Sequence, residues 1–209
     1  MIVQAKSAKW LKIAISLSLA IALISGFSGG YIYAKAELAQ YLIAKAWQQT
    51  LSDGMPHTPW PWADTWPVML LEHKPTNTQI YVLEGADGSS LAFGPGRLSG
   101  SGSNNGLGEL ISAHRDTHFS FLQEAKLDDI IRLQSMNGLW QSYRLTSVQV
   151  VDSRYQPLIL PPIDQLLLVT CYPFDAILPG GPMRYVVQAE RVVNKPQNQL
   201  AIANNTYRL

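Results

Sequence analysis

Three side chains that could together carry out nucleophilic chemistry lie at or near the ends of short apolar runs. Cys171, the only cysteine of the chain, ends the run 165–170, while His114 follows a similar run and Arg184 lies near the start of another. A thiol with an ordinary pKa near about 8.5 is mostly protonated at neutral pH, so a nucleophilic cysteine needs a proton-accepting or positive neighbour. His114 and Arg184 could supply both. A buried structural thiol is the alternative reading for a single cysteine.

Two further polar residues lie close to His114 in the sequence. His118, four residues later, is the rival base, and Asp116 could orient an imidazole as acidic groups do in catalytic triads. Two histidines at this spacing would share a metal only on a helix, and no third ligand is evident nearby. We therefore predict neither a metal nor a cofactor. We expect His118 and Asp116 to contact and orient the reacting residues without reacting themselves.

From Val68 onward the sequence consists of short strand-like runs separated by turn residues, a pattern that favours a closed barrel or a sandwich over a parallel α/β sheet. A short helical turn is expected over 119–126, and a proline-rich loop over 155–163. If the last two strands pair, Cys171 and Arg184 come together, whereas the position of His114 depends on the fold. The predicted strands are 68–71, 79–84, 90–93, 109–113, 129–134, 141–151, 165–170 and 183–192.

The N-terminal segment predicts a membrane anchor. No charged residue occurs between Ile13 and Ile32, and about twenty helical residues span the roughly 30 Å hydrocarbon core of a bilayer. Three lysines precede this segment, so the positive-inside rule places residues 1–12 in the cytoplasm and the rest of the chain outside. A cleavable signal peptide is the alternative, but its apolar core usually has only about 7–15 residues.

The region after the span divides into three parts. Residues 34–67 combine a juxtamembrane helix over 34–51, with Leu38, Leu42 and Trp47 near one stripe, and an extended linker rich in proline and tryptophan. The candidate catalytic domain follows as residues 68–193, and a C-terminal tail as residues 194–209. The predicted spanning segment itself is 13–33.

Composition argues against several partners. Sixteen basic and fifteen acidic residues nearly cancel, so the basic patch of a nucleic-acid-binding protein is not expected. A single cysteine provides no disulfide framework for an exported domain.

The three segments that carry the reactive residues resemble those of sortases. Thr-Cys-Tyr-Pro-Phe at 170–174, His-Arg-Asp-Thr-His-Phe at 114–119 and Arg-Tyr-Val-Val at 184–187 all have sortase counterparts. The similarity covers roughly residues 68–192 and is greatest to the sortases of marine proteobacteria. Leu167 and Ala113 depart from the usual motifs, but neither departure removes a reacting group.

The resemblance implies a mostly β fold, a sortase-type closed barrel of about eight strands with short helices, preceded by one transmembrane helix. It also implies a membrane-anchored cysteine transpeptidase with Cys171 as nucleophile, His114 as acid and base, and Arg184 as the group that binds the substrate backbone and oxyanion. Thr170 is expected near the substrate. The partner would be a secreted protein with a C-terminal sorting signal, and transfer would go to an amine or to water.

This resemblance also places the exported domain in the periplasm of a Gram-negative cell, anchored in the inner membrane. Two other classes use similar features. Another exported cysteine peptidase or an L,D-transpeptidase would share Cys-His chemistry, although the latter resembles Ser-His-Gly-Cys around its nucleophile, unlike Val169-Thr170-Cys171. A membrane-tethered assembly module with a merely buried cysteine is the non-catalytic alternative.

Overall fold

The computed structural model describes residues 2–102, 106–176, 178 and 180–193. The described part consists of one long N-terminal helix, a mostly β domain and short helical turns. The expected tail 194–209 lies outside the described residues.

Eight strands occur among the described residues, and they close into a barrel in the order β1-β2-β3-β4-β7-β8-β6-β5. The predicted fold class is thereby confirmed. The strands are β1 (Pro67–His73), β2 (Thr78–Glu84), β3 (Gly96–Arg97), β4 (Glu109–Ser112), β5 (Ile130–Ser135), β6 (Trp140–Asp152), β7 (Gln165–Cys171) and β8 (Met183–Arg191).

One predicted strand is wrong. Residues 88–91 form a single helical turn, α2 (Gly88–Leu91), because the Asp87 carboxylate caps it by accepting a hydrogen bond from the Ser90 N–H at 3.0 Å. The chain joins the sheet only at β3, where Gly96 passes so close to Gly85 that a Cβ would lie 2.1 Å from the Gly85 carbonyl oxygen. A backbone approach of this kind requires glycine.

The barrel interior is filled by the inward residues of the strands and by a short 3-10 helix, Ser120–Gln123, within the predicted helical turn. Phe119 and Phe121 from this segment meet edge to face, with ring centroids 5.9 Å apart. The apolar alternation of the strands explains this core, because successive strand side chains point to opposite faces.

Helix α1 (Ile2–Asp53) joins the predicted span and the predicted juxtamembrane helix without a break. It is long and apolar enough, by length and composition, to cross a bilayer. The face that packs on the barrel includes Trp47 of the predicted stripe, whereas Leu38 is exposed. The buried residues, spaced as one helical face, are Ala39, Ile43, Ala46, Trp47 and Thr50.

Candidate active site

Strand pairing brings Cys171 and Arg184 together. β7 and β8 are antiparallel neighbours, and Cys171 and Arg184 are direct partners in their register. Residues Leu166, Leu168 and Thr170 of β7 are buried, so the alternation of the strand directs the half-buried Cys171 to the outer face. On β8, Val187 and Ala189 are buried, which puts Arg184 on that same outer face.

His114 reaches this place through a parallel pair of strands. Ser112 at the end of β4 is the partner of Val169 in β7, and the Ala113 N–H continues the ladder by donating to the Val169 carbonyl at 3.2 Å. Extended two residues beyond β4, the same register pairs position 114 with position 171. Adjacent strands are about 4.8 Å apart, so this extension puts the exposed His114 on the chain segment next to the one that carries Cys171.

Thr170, expected near the substrate, is buried in the barrel wall. Its side chain is 2% exposed, and its hydroxyl donates a 2.7 Å hydrogen bond to the Ala113 carbonyl. This bond connects the residue before Cys171 with the residue before His114. This hydrogen bond therefore holds the end of β7 to the residue that follows β4.

The Arg184 guanidinium is oriented by its own loop. Its Nη1 donates to the carbonyls of Gly181 at 2.8 Å and Met183 at 3.0 Å. Its Nε and Nη2 make no hydrogen bond to the described residues. Arginine carries five N–H donors in a planar fork, which suits this division between scaffold and ligand.

The two polar residues after His114 differ in their surroundings. Asp116 is exposed, whereas His118 is half-buried, with its Nδ1 3.4 Å from the Thr117 hydroxyl. Burial lowers the pKa of His118, and the nearby His114 lowers it further. His118 therefore favours the neutral imidazole more strongly than an exposed histidine does. No group of three metal-ligating residues occurs in the described part of the chain.

An aromatic cluster supports the loop that follows the cysteine. Tyr172 stacks on Tyr185 at 6.2 Å, and Phe174 meets Tyr185 edge to face at 5.0 Å. Phe174 and Tyr185 also pack against the barrel core, and burial raises the pKa of Tyr185. The Tyr172–Pro173 peptide bond is cis. The Tyr-Pro-Phe sequence after Cys171 thus anchors the start of the β7–β8 loop.

Sequence reasoning missed Arg115, which also binds this loop. Its side chain is 8% exposed, and its Nη2 donates to the carbonyls of Ala176 at 2.9 Å and Leu178 at 3.0 Å. Its position next to His114 could have indicated a role in the site, but an arginine in a polar loop segment is ordinarily exposed to solvent.

A groove of about 310 Å³ lies on the outer face beneath the proline-rich segment between β6 and β7. Leu167 forms part of its floor, four residues before Cys171 on the same face. Val151, also in the floor, is the register partner of Arg184, so the groove leads toward the reactive pair. Leu158 and Ile159 line it from the segment above.

The Sortase domain family matches residues 73–192, more than half of the chain. Similar solved structures include sortase A from Corynebacterium diphtheriae, which is 24% identical with a TM-score of 0.53, the match covering 66% of each chain. The lid mutant of that sortase A is 21% identical, with 78% of this chain and 98% of that chain covered and a TM-score of 0.55.

Pilus Island 1 sortase C2 of Group B Streptococcus is 23% identical, with coverage of 61% and 74% and a TM-score of 0.52. At such identities the solved structures show the shared fold. No curated protein matches the chain. The family match runs from the last residue of β1 to the residue after β8 and covers more than half of the chain, so the chain belongs to the sortase family of cysteine transpeptidases.

Proposed function

We propose that this protein is a membrane-anchored sortase that cleaves a C-terminal sorting motif of a secreted protein and transfers the acyl part to an amine or to water. The observation that carries the proposal is that β7 pairs with both β4 and β8, so that Arg184 is the register partner of Cys171 and β4 ends two residues before His114 on the other side of β7. The residues 170–174 and 114–119 favour the marine proteobacterial, Gram-negative type within the family.

In the acylation step the Cys171 thiolate attacks a backbone carbonyl carbon of the sorting motif. The new C–S bond forms while the carbonyl π electrons move to oxygen, and the Nε and Nη2 donors of Arg184 stabilise that oxyanion. Collapse of the intermediate breaks the C–N bond. His114 in its protonated form gives a proton to the departing amine, which leaves a thioacyl-enzyme and a neutral imidazole.

In the second step an amine or a water molecule attacks the thioacyl carbon. Neutral His114 removes a proton from this nucleophile, the C–S bond breaks, and the thiolate and the imidazolium are restored. The same imidazole serves both steps because each step reverses its protonation state. Asp116 is exposed and His118 is half-buried beside it, so we assign both to the surroundings of His114.

The groove beneath the segment between β6 and β7 is where we place the sorting motif. Its apolar lining by Leu167, Val151 and Leu158 fits an aliphatic or proline side chain. A peptide lying along this groove would present its next carbonyl toward Arg184, the register partner of Val151.

We propose the domain organisation and topology that the N-terminal sequence indicates. Residues 1–12 are cytoplasmic, 13–33 span the inner membrane, 34–67 form the juxtamembrane helix and linker, and 68–193 form the periplasmic catalytic domain. The uninterrupted helix α1 supports this arrangement, because it passes from the apolar span directly onto the barrel.

The proposal is tested by trapping the acyl intermediate. The full-length chain is co-expressed with a tagged secreted protein that ends in a proline-containing motif, an apolar span and a basic tail, and membranes are treated with hydroxylamine. We expect a shortened partner released as a hydroxamate by the wild-type protein and not by Cys171→Ala. Equal release by the Cys171→Ala variant would refute the proposed mechanism.

A further inference from the structure

His114 is the one member of the proposed catalytic group that no strand holds. β4 ends at Ser112, whereas Cys171 and Arg184 both belong to the paired strands β7 and β8. A base must stay within hydrogen-bond reach of the group with which it exchanges a proton. Contacts outside the regular ladder must therefore position the imidazole.

Such contacts exist on both sides of His114. Before it, the Ala113 carbonyl accepts the hydrogen bond of the Thr170 hydroxyl, and Thr170 directly precedes Cys171. After it, Arg115 donates to the carbonyls of Ala176 and Leu178, in the loop that follows Cys171. The segment that carries His114 is thus fastened to the cysteine segment upstream and downstream of the nucleophile.

The surroundings of Arg115 are unusual for a buried cation. Its side chain is almost fully buried, yet none of the ion pairs in the described part of the chain includes it. Burying a charge is costly unless it is paired or hydrogen-bonded. Here the hydrogen-bond partners within the described residues are two loop carbonyls, both bound by the single nitrogen Nη2.

We propose that Arg115 is a positioning residue that holds His114 in register with Cys171 by binding the β7–β8 loop. It does not touch the reacting atoms and acts through the imidazole beside it. The inference rests on the proposed function, because it presupposes that His114 and Cys171 react as a pair. A misplacement of about 1 Å in such a pair can lower turnover by about 10²-fold.

The test uses the full-length protein in detergent and needs no substrate. Cys171 is the only thiol, so the rate of alkylation by iodoacetamide, measured from about pH 5 to about pH 9, reports its reactivity alone. The variants are Arg115→Gln, His114→Ala and the double variant. Arg144→Gln is the matched control, because Arg144 is 49% exposed in a 3.7 Å ion pair with Asp128.

An unassisted thiol is only a few per cent thiolate at neutral pH, so losing the histidine should lower alkylation there by roughly tenfold. We expect Arg115→Gln to reproduce most of the His114→Ala profile, and the double variant to match His114→Ala alone. Arg115→Lys should restore much of the wild-type profile, since one ammonium can donate to both carbonyls. Arg115→Lys also serves as the second variant if the Arg115→Gln protein does not fold.

Two results would overturn the inference alone. One is a wild-type profile for Arg115→Gln when His114→Ala changes the profile, and the other is a double variant whose loss is the product of the two single losses. An unchanged profile for His114→Ala would instead overturn the proposed Cys171–His114 pair, and the inference with it.

Discussion

Replacing Arg184 by lysine tests whether this residue acts as a fork of donors or as a positive charge. Nη1 of Arg184 is occupied by the carbonyls of Gly181 and Met183, and the remaining nitrogens are the donors that we assign to the oxyanion. A lysine has one nitrogen on a flexible stem. It cannot bind the two loop carbonyls and also present a paired, fixed set of donors to a substrate.

The magnitude follows from the donors that are lost. Removing one oxyanion donor typically lowers the rate by about 10²–10³-fold. We expect Arg184→Lys to lower turnover of the tagged partner protein by about this factor, nearly as far as Arg184→Ala. Alkylation of Cys171 by iodoacetamide should change little, because the strand pairing that holds the thiol is retained.

Arg191→Lys is the matched control on the same strand. Arg191 lies at the far end of β8, seven residues away, in a 2.9 Å ion pair with Asp164. Strand residues rise about 3.4 Å each, so this residue lies roughly 24 Å from Arg184. Its substitution should leave turnover near the wild-type value. Near-normal turnover of Arg184→Lys would show that charge alone suffices, and the oxyanion role would then have to be withdrawn.

Four further outcomes are expected. Cys171→Ala should abolish partner cleavage while the circular dichroism spectrum stays unchanged; residual cleavage would exclude the thiol as nucleophile. His114→Ala should lose turnover by about 10²-fold or more, and His118→Ala much less, whereas the reverse order in a turnover assay would identify His118 as the base. Protease added to spheroplasts should digest residues 34–209, and a protected domain would refute the topology. Burial raises the pKa of Glu109, whose Oε2 is buried without a hydrogen-bond partner in the described residues. The folded protein therefore binds this proton more tightly than the unfolded chain, and the free energy of unfolding falls as pH rises above the ordinary carboxyl pKa. Glu109→Gln should reduce this fall when urea unfolding is measured across that pH range, and an unchanged pH dependence of the free energy of unfolding would contradict the raised pKa of Glu109.

Local sequence patterns predicted most strands of the barrel. The alternation of apolar and polar residues depends on which strand face meets the core, so runs such as 165–170 and 183–192 could be recognised without the fold. They correspond to β7 (Gln165–Cys171) and β8 (Met183–Arg191). The adjacent positions of these strands also allowed the Cys171 and Arg184 pairing to be anticipated.

Where local signals competed, prediction was wrong. The run 90–93 contains apolar residues, but the Asp87 cap stabilised a helical turn and the sheet contact moved to Gly96. Similarly, the stripe of α1 that packs on the barrel centres on Ile43 and not on Leu38. A helix cap depends on a single neighbouring side chain, and the buried face of a helix depends on the residues packed against it. Neither is contained in the periodic pattern of apolar residues.

The sequence by itself determined the reactive residue types, the family resemblance and the strand that ends at Cys171. Only the tertiary structure decided that β4 pairs in parallel with β7, which brings the residue before His114 into contact with the residue before Cys171 across 57 residues of chain. It also decided that Arg115 turns inward to bind the loop after the nucleophile. Parallel pairing and a buried arginine depend on contacts between distant segments, and the residues on either side of each contact carry no local pattern that specifies its partner.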